Sequence, residues 1–221
     1  MSYKLAAALG LAGIILIVFG GGALHGTPPA FDAPLQQIRD SFRNGGQAYL
    51  VGDYLARLGF VFGFLPFVVA LRGRLAAAEA EPGILSWLIV VGGVATFAVG
   101  DAAKFFLNGV ALAGGSSEIS DSTLRTLLYL DSGAISTIGA PAALMVLAAS
   151  WLIWKHGALW RWLAVLGAVA GVLLVLGAAF PLEHRSMSVL FAARFAGFLA
   201  LVMFIVASSL AMLLDCGKEE N

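Results

Sequence analysis

Cysteine is nearly absent from this chain: Cys216, close to the C-terminus, is the only one. Disulfide frameworks, thiol redox pairs and thiolate metal sites within one chain are thereby excluded. Histidine is scarce too, three residues far apart, so no spaced metal motif exists and we expect neither metal nor cofactor. Charge is thin: 12% of residues, 13 basic against 13 acidic, for a formal net charge of zero. No basic patch or stripe is present, which removes nucleic acid as a partner. A soluble domain is about half apolar and a quarter charged. These 221 residues are 60% hydrophobic with a mean hydropathy of +0.93, the composition of an integral membrane protein.

What the chain does have is long apolar runs. A bilayer core needs about 20 apolar residues per helix, and six stretches qualify, near 5–25, 48–71, 84–112, 124–154, 159–181 and 189–214. The first, Leu5 to Leu24, is longer than the apolar core of a signal peptide and no small-residue cleavage site follows it, so a retained span is expected. Breakers separate the runs: Gly26-Thr27-Pro28-Pro29, Glu81-Pro82-Gly83, Gly114-Gly115-Ser116-Ser117, Lys155-His156-Gly157 and Pro181-Leu182-Glu183. With the N-terminus cytoplasmic, Lys4, Arg72, Arg74, Lys155, Arg161 and Lys218 fall inside, against Arg39, Arg43, Arg125 and Arg185 outside. All five tryptophans (Trp87, Trp151, Trp154, Trp160, Trp162) then lie at inner ends, and Tyr49, Tyr54 and Tyr129 near outer ends, where aromatic rings favour the headgroup level. We expect an all-α bundle of about six transmembrane helices with both termini cytoplasmic, one domain over 1–214, and a disordered acidic tail over 215–221. The outer loop, Gly26 to Gln47, carries Leu35, Ile38 and Phe42 at helical spacing, which predicts a short helix lying on the outer surface.

Six ionisable residues interrupt the apolar runs: Asp53, Arg57, Asp101, Lys104, Asp131 and Arg194. A charge at the bilayer centre costs about 2.5 kcal/mol or more, so such residues pair or line a wet cavity rather than face lipid. The topology puts all six in the outer halves of their spans. Asp53 and Arg57, four apart, share a helical face. Asp101, Lys104 and Asn108 share another, and Ser132, Ser136 and Thr137 follow Asp131. His25, Glu183, His184 and Arg185 stand at the outer rim. Polar residues between spans also act as plain structural glue, and the sequence leaves that reading open. Read as a site, Asp131 and Asp101 are the acid–base candidates, and Asp131 is the better one because its own helix offers no base within a turn. Asp53, Arg57, Lys104, Asn108 and Arg194 would bind and orient a ligand.

Other signals are weaker. Gly59 with Gly63, and Gly167 with Gly171, are G-x-x-x-G pairs, serving packing within the chain or a homo-oligomer seam. Pro66 and Pro141 should disturb the second and fourth spans. The first and second halves of the chain show no convincing inverted repeat. The run Leu159-Trp160-Arg161-Trp162-Leu163-Ala164-Val165-Leu166-Gly167 resembles a stretch in a bacterial family of small polytopic membrane proteins catalogued as a domain of unknown function. The resemblance extends to the Arg57-Leu58 region, the number of spans and the length. It implies a multi-pass protein of the bacterial cytoplasmic membrane and supplies no catalytic residues.

The leading expectation is an outward-facing charged pocket that binds a lipid or other hydrophobic small molecule, with isomerase-, cyclase- or hydrolase-type acid–base chemistry on it. A proton-coupled transporter and an accessory subunit of a membrane complex are the alternatives.

Overall fold

An apolar run in lipid must satisfy its backbone hydrogen bonds within itself, and every apolar run of this chain does so as a helix. The computed structural model describes residues 2–24, 33–79, 83–113, 119–183 and 188–215, and among these all regular structure is helical. Six helices are long and apolar enough to cross a membrane: Tyr3–Leu24, Leu35–Ala76, Ile84–Leu112, Asp121–His156, Arg161–Leu182 and Val189–Leu214. They are called the first to sixth spans below. Serine side chains start three of them, Ser2 accepting from the Leu5 amide and Ser120 from the Thr123 amide, both at 3.2 Å, and Ser188 from the Phe191 amide at 3.0 Å. Gly157 ends the fourth with a φ of 64°, a left-handed turn that glycine adopts without strain.

The second span differs from expectation. The segment read as a separate surface helix is continuous with it, so the helix begun at Leu35 runs on to Ala76 over 42 residues. At 1.5 Å per residue that is about 63 Å, twice the roughly 30 Å of a hydrocarbon core. The third and fourth spans are also long, at 29 and 36 residues, while the first and fifth have 22 each. The excess of the three long helices gathers at one end and builds its own core from Ile38, Phe42, Tyr49, Leu107, Val110, Ala111, Leu124 and Leu128. We call this three-helix bundle the cap. Its edge is tied by Arg39, which donates to Asp121 at 2.8 Å and to the Ile119 carbonyl, and by Arg125, which donates to the Ala33 carbonyl at 3.0 Å. The apolar face of Leu35, Ile38 and Phe42 therefore meets protein rather than headgroups.

The larger core lies in the membrane bundle and draws on all six spans. Small residues set its spacing. A Cβ on Gly13 would lie 2.6 Å from both the Gly59 carbonyl oxygen and the Gly63 Cα, so this glycine pair packs on the first span of the same chain. Gly167 and Gly171 face Ser150, Phe204 and Leu147, so their faces are likewise covered within the chain. Both prolines act as expected. Pro66 lacks the N–H that Phe62 would receive, and the helix widens over Phe60–Phe64 just before it. Upstream of Pro141 the fourth span breaks at Ile138, between Asp121–Thr137 and Gly139–His156. Tyr3 packs over Gly73, and Gly10 packs against Phe67 and Ser209, so the chain enters and leaves the bundle at the end opposite the cap. All five tryptophans are exposed at that end. His25, His184, Arg185, Cys216 and the tail beyond Asp215 lie outside the described residues.

Candidate functional site

The second, third and fourth spans each contribute to both cores, and each carries its charges where it passes from one core to the other. The tryptophan level calibrates their depth. Along the third span Asp101 stands about 21 Å from Trp87, and along the fourth Asp131 stands about 34 Å from Trp154. With tryptophans at one headgroup level, Asp101 lies about two thirds of the way across a roughly 30 Å hydrocarbon core and Asp131 at its far edge. Both depths lie beyond the bilayer centre, where a charge costs most.

Helical spacing builds the first part. Arg57 follows Asp53 by one turn, and its Nε reaches Asp53 Oδ2 at 2.9 Å. The antiparallel third span brings Asp101 Oδ1 to 3.2 Å from the same Nε, and Asn108 Nδ2 donates to Asp53 Oδ2 at 2.9 Å. Arg57 is thus shared between two carboxylates, with the Phe105 ring 5.5 Å from its Cζ. Asp53 is 3% exposed, whereas Arg57 and Asp101 reach the surface more. A buried carboxylate that accepts from a guanidinium and an amide is compensated, although the Asn108 Oδ1 of the same group is buried with no hydrogen-bond partner among the described residues.

Asp131 is different. It is 7% exposed, and its Oδ1 is buried with no hydrogen-bond partner among the described residues. Nor does any described cation approach it to ion-pair distance. Lys104 and Arg194 are the bases within electrostatic reach, and Asp53 is the nearest acid acting on it. Lys104 lies 5.9 Å from the centre of the Tyr49 ring. Arg194 reaches in from the sixth span, whose backbone is held against Gly177 of the fifth. Its Nη1 donates to Ser136 Oγ at 3.3 Å, and Ser136 in turn donates to the Ser132 carbonyl at 2.8 Å. The guanidinium lies between Phe180 and Phe191, 4.9 and 5.3 Å from their ring centres.

All seven residues singled out in the sequence therefore stand at one level, in two groups. Asp53, Arg57, Asp101 and Asn108 touch one another; Lys104 and Arg194 flank Asp131 without closing on it. The ion-pair partner of Asp101 is Arg57, on another helix, rather than Lys104 on its own. The sequence reading assigned Tyr49 to the interfacial aromatics, but it is buried and edge-on to Phe42 at 5.6 Å. Its place one turn before Asp53, on the same face, was the available signal. The aromatic pair around Arg194 had none, because it forms between the end of the fifth span and the start of the sixth. At the rim, Glu183 accepts from the Leu190 amide at 3.4 Å. Among the described residues, no three His, Cys, Asp or Glu side chains are grouped to hold a metal ion.

Chemically, the Asp53–Arg57–Asp101 group is a scaffold, and Asp131 is the carboxylate in the layer with bonding capacity left over, beside the unpartnered Asn108 Oδ1. A scan against protein-family models finds no match, and searches of curated proteins and of solved structures find none either.

Proposed function

We propose that this chain is a multi-pass protein of the bacterial cytoplasmic membrane that binds an amphiphile at its charged layer, with Asp131 handling a proton of the ligand's polar head. The single observation that carries this reading is the Asp131 carboxyl, buried with an oxygen that no described residue serves. Buried polar atoms are almost always hydrogen-bonded, and a carboxylate oxygen left over at the seam between two cores, with the Asn108 Oδ1 also unserved in the same layer, is best explained by a donor that arrives with a ligand. Lys104 and Arg194 would orient the head, and Asp53, Arg57, Asp101 and Asn108 would hold the helices in register. The apolar tail would lie along the lipid-facing bundle. Proton transfer from such a group fits isomerisation, cyclisation or hydrolysis of a lipid-like molecule. The lysine and arginine bias between span ends supports a cytoplasmic tryptophan end, which puts the cap outside. Proton-coupled transport is less well supported, because no span carries a charged residue between the layer and the tryptophan end.

Native mass spectrometry of protein released from nanodiscs tests the proposal, wild type beside Asp131→Asn. The expected result is a discrete bound mass in the wild type that is lost from a mutant of unchanged thermal stability. Equal occupancy in both, or no retained ligand in either, would make the layer purely structural.

A further inference from the structure

We propose that Arg72 and Trp87, at the end of the bundle away from the charged layer, seat the phosphate of an anionic phospholipid. The Arg72 guanidinium stacks on the Trp87 ring, Cζ 4.0 Å from its centre. Its Nε is buried with no hydrogen-bond partner, and among the described residues no carboxylate pairs with it. Glu79, the described acid nearest to Arg72 in sequence, is already committed: its two oxygens accept from the Leu85 and Ser86 amides, both at 2.9 Å. A guanidinium stacked by one face and buried at Nε keeps its terminal N–H groups for a planar or tetrahedral oxyanion, which it grips bidentately.

The surroundings favour a phosphate that belongs to a lipid. Tyr3 packs over Gly73, so the first span opens with Lys4 at the level of Arg72 and Arg74, which makes this end of the bundle basic. Trp87 is 54% exposed, and Ile84, Val91 and Val94 are exposed at helical spacing on the same face of the third span. That stripe runs from the guanidinium along the bundle surface, the path an acyl chain would take below its headgroup. Basic corners between helix ends are where anionic headgroups settle on membrane proteins. This seat is independent of Asp131 and of any chemistry there.

The test uses the full chain in nanodiscs of phosphatidylcholine alone or of an equal mixture with phosphatidylglycerol, read by native mass spectrometry and by thermal midpoint. Wild type should retain phosphatidylglycerol in preference to phosphatidylcholine and gain stability only in the mixture. Arg72→Gln should lose that preference about tenfold or more, the equivalent of one charge-assisted contact. Arg72→Lys, which keeps the charge and the buried stem, should fold and lose part of it, as should Trp87→Ala. Asp131→Asn should retain it in full. An unchanged preference in Arg72→Gln would overturn the proposal, as would Arg72→Lys and Arg72→Gln destabilising the protein equally in both lipids. Displacement of the lipid by millimolar inorganic phosphate would reassign the seat to a free anion and overturn the lipid assignment.

Discussion

The two cores of this molecule are built by different rules, although the same three helices run through both. In the membrane bundle, helices approach until backbone meets backbone: Gly13 lies against Gly59 and Gly63, and Gly92 against Pro141 and Met145. Lipid is as apolar as a leucine side chain, so burial gains little there and close van der Waals contact between small residues does the holding. In the cap, Ile38, Phe42, Leu107, Val110, Leu124 and Leu128 meet as large side chains on amphipathic faces, and charged residues such as Arg39 and Asp121 line the edge. That is packing for water, where each Å² of buried apolar surface contributes about 25 cal/mol. The charged layer sits where one rule gives way to the other. A charge costs less there than at the bilayer centre, and Arg57 and Asp101 reach the surface.

If the comparison holds, the two cores should fail separately. Phe42→Ala should have the largest effect, because the ring is 3% exposed and leaves a cavity worth about 3–5 kcal/mol. Hydrogen exchange should rise across 35–50 and 121–131 while amides of the membrane bundle stay protected. Equal loss of protection in both regions would show a single cooperative unit. Gly13→Ala should follow, at about 1–3 kcal/mol, because a methyl there meets backbone that cannot give way. Its sign is the sharper observation: glycine to alanine in an open helix normally stabilises by about 0.4–1 kcal/mol. A stabilised Gly13→Ala in a denaturant or thermal series would mean that the first and second spans are less closely apposed than described.

The spans were legible because lipid imposes a length and a composition that the sequence must state in one dimension. The charged level was legible for the same reason, since register along a helix fixes depth: Asp53 with Arg57, and Asp101 with Asn108, could be placed from spacing alone. The cap was only half legible. Leu35, Ile38 and Phe42 announce an amphipathic helix, but nothing local says whether that face meets headgroups, its own protein or another chain. Its partners, Leu107 and Leu124, are far along the sequence, and Gly45-Gly46 inside the segment reads as a breaker. Gly46 is kept small by the approach of the Ala111 carbonyl. The Arg57–Asp101 pair stayed hidden for the same reason: a neighbour three residues away is visible in the sequence, and a neighbour on an antiparallel helix is not. Asp131 is the converse case. It was singled out because its own helix offers no base within a turn, and the folded arrangement supplies none at contact distance from any described element.

The third span belongs to both cores, and its start is fixed by one carboxylate, which gives a way to perturb the bundle without touching the cap. Glu79 lies outside the spans and caps the amides of Leu85 and Ser86. Burial acts to raise its pKa, but the two amides, the Ser86 hydroxyl and the nearby His156 outweigh that, and the carboxyl sits below its ordinary value. A carboxylate whose folded pKa is depressed stabilises the folded state above its unfolded pKa, and that contribution is lost as pH falls through the folded pKa. The bundle end of the third span should therefore loosen below about pH 4. Glu79→Gln keeps one acceptor and loses the charge, so it should cost about 0.5–1 kcal/mol at neutral pH, the lower range for a cap. Other acids titrate in the same window, so the difference between wild type and Glu79→Gln is the quantity to read. Exchange at Leu85, Ser86 and Trp87 should depend on pH in the wild type and far less in the mutant, while Val110 and Ala111 in the cap respond alike in both. A pH response at the cap amides that Glu79→Gln removes would mean that the third span transmits strain from one core to the other, and the two could no longer be treated as separate.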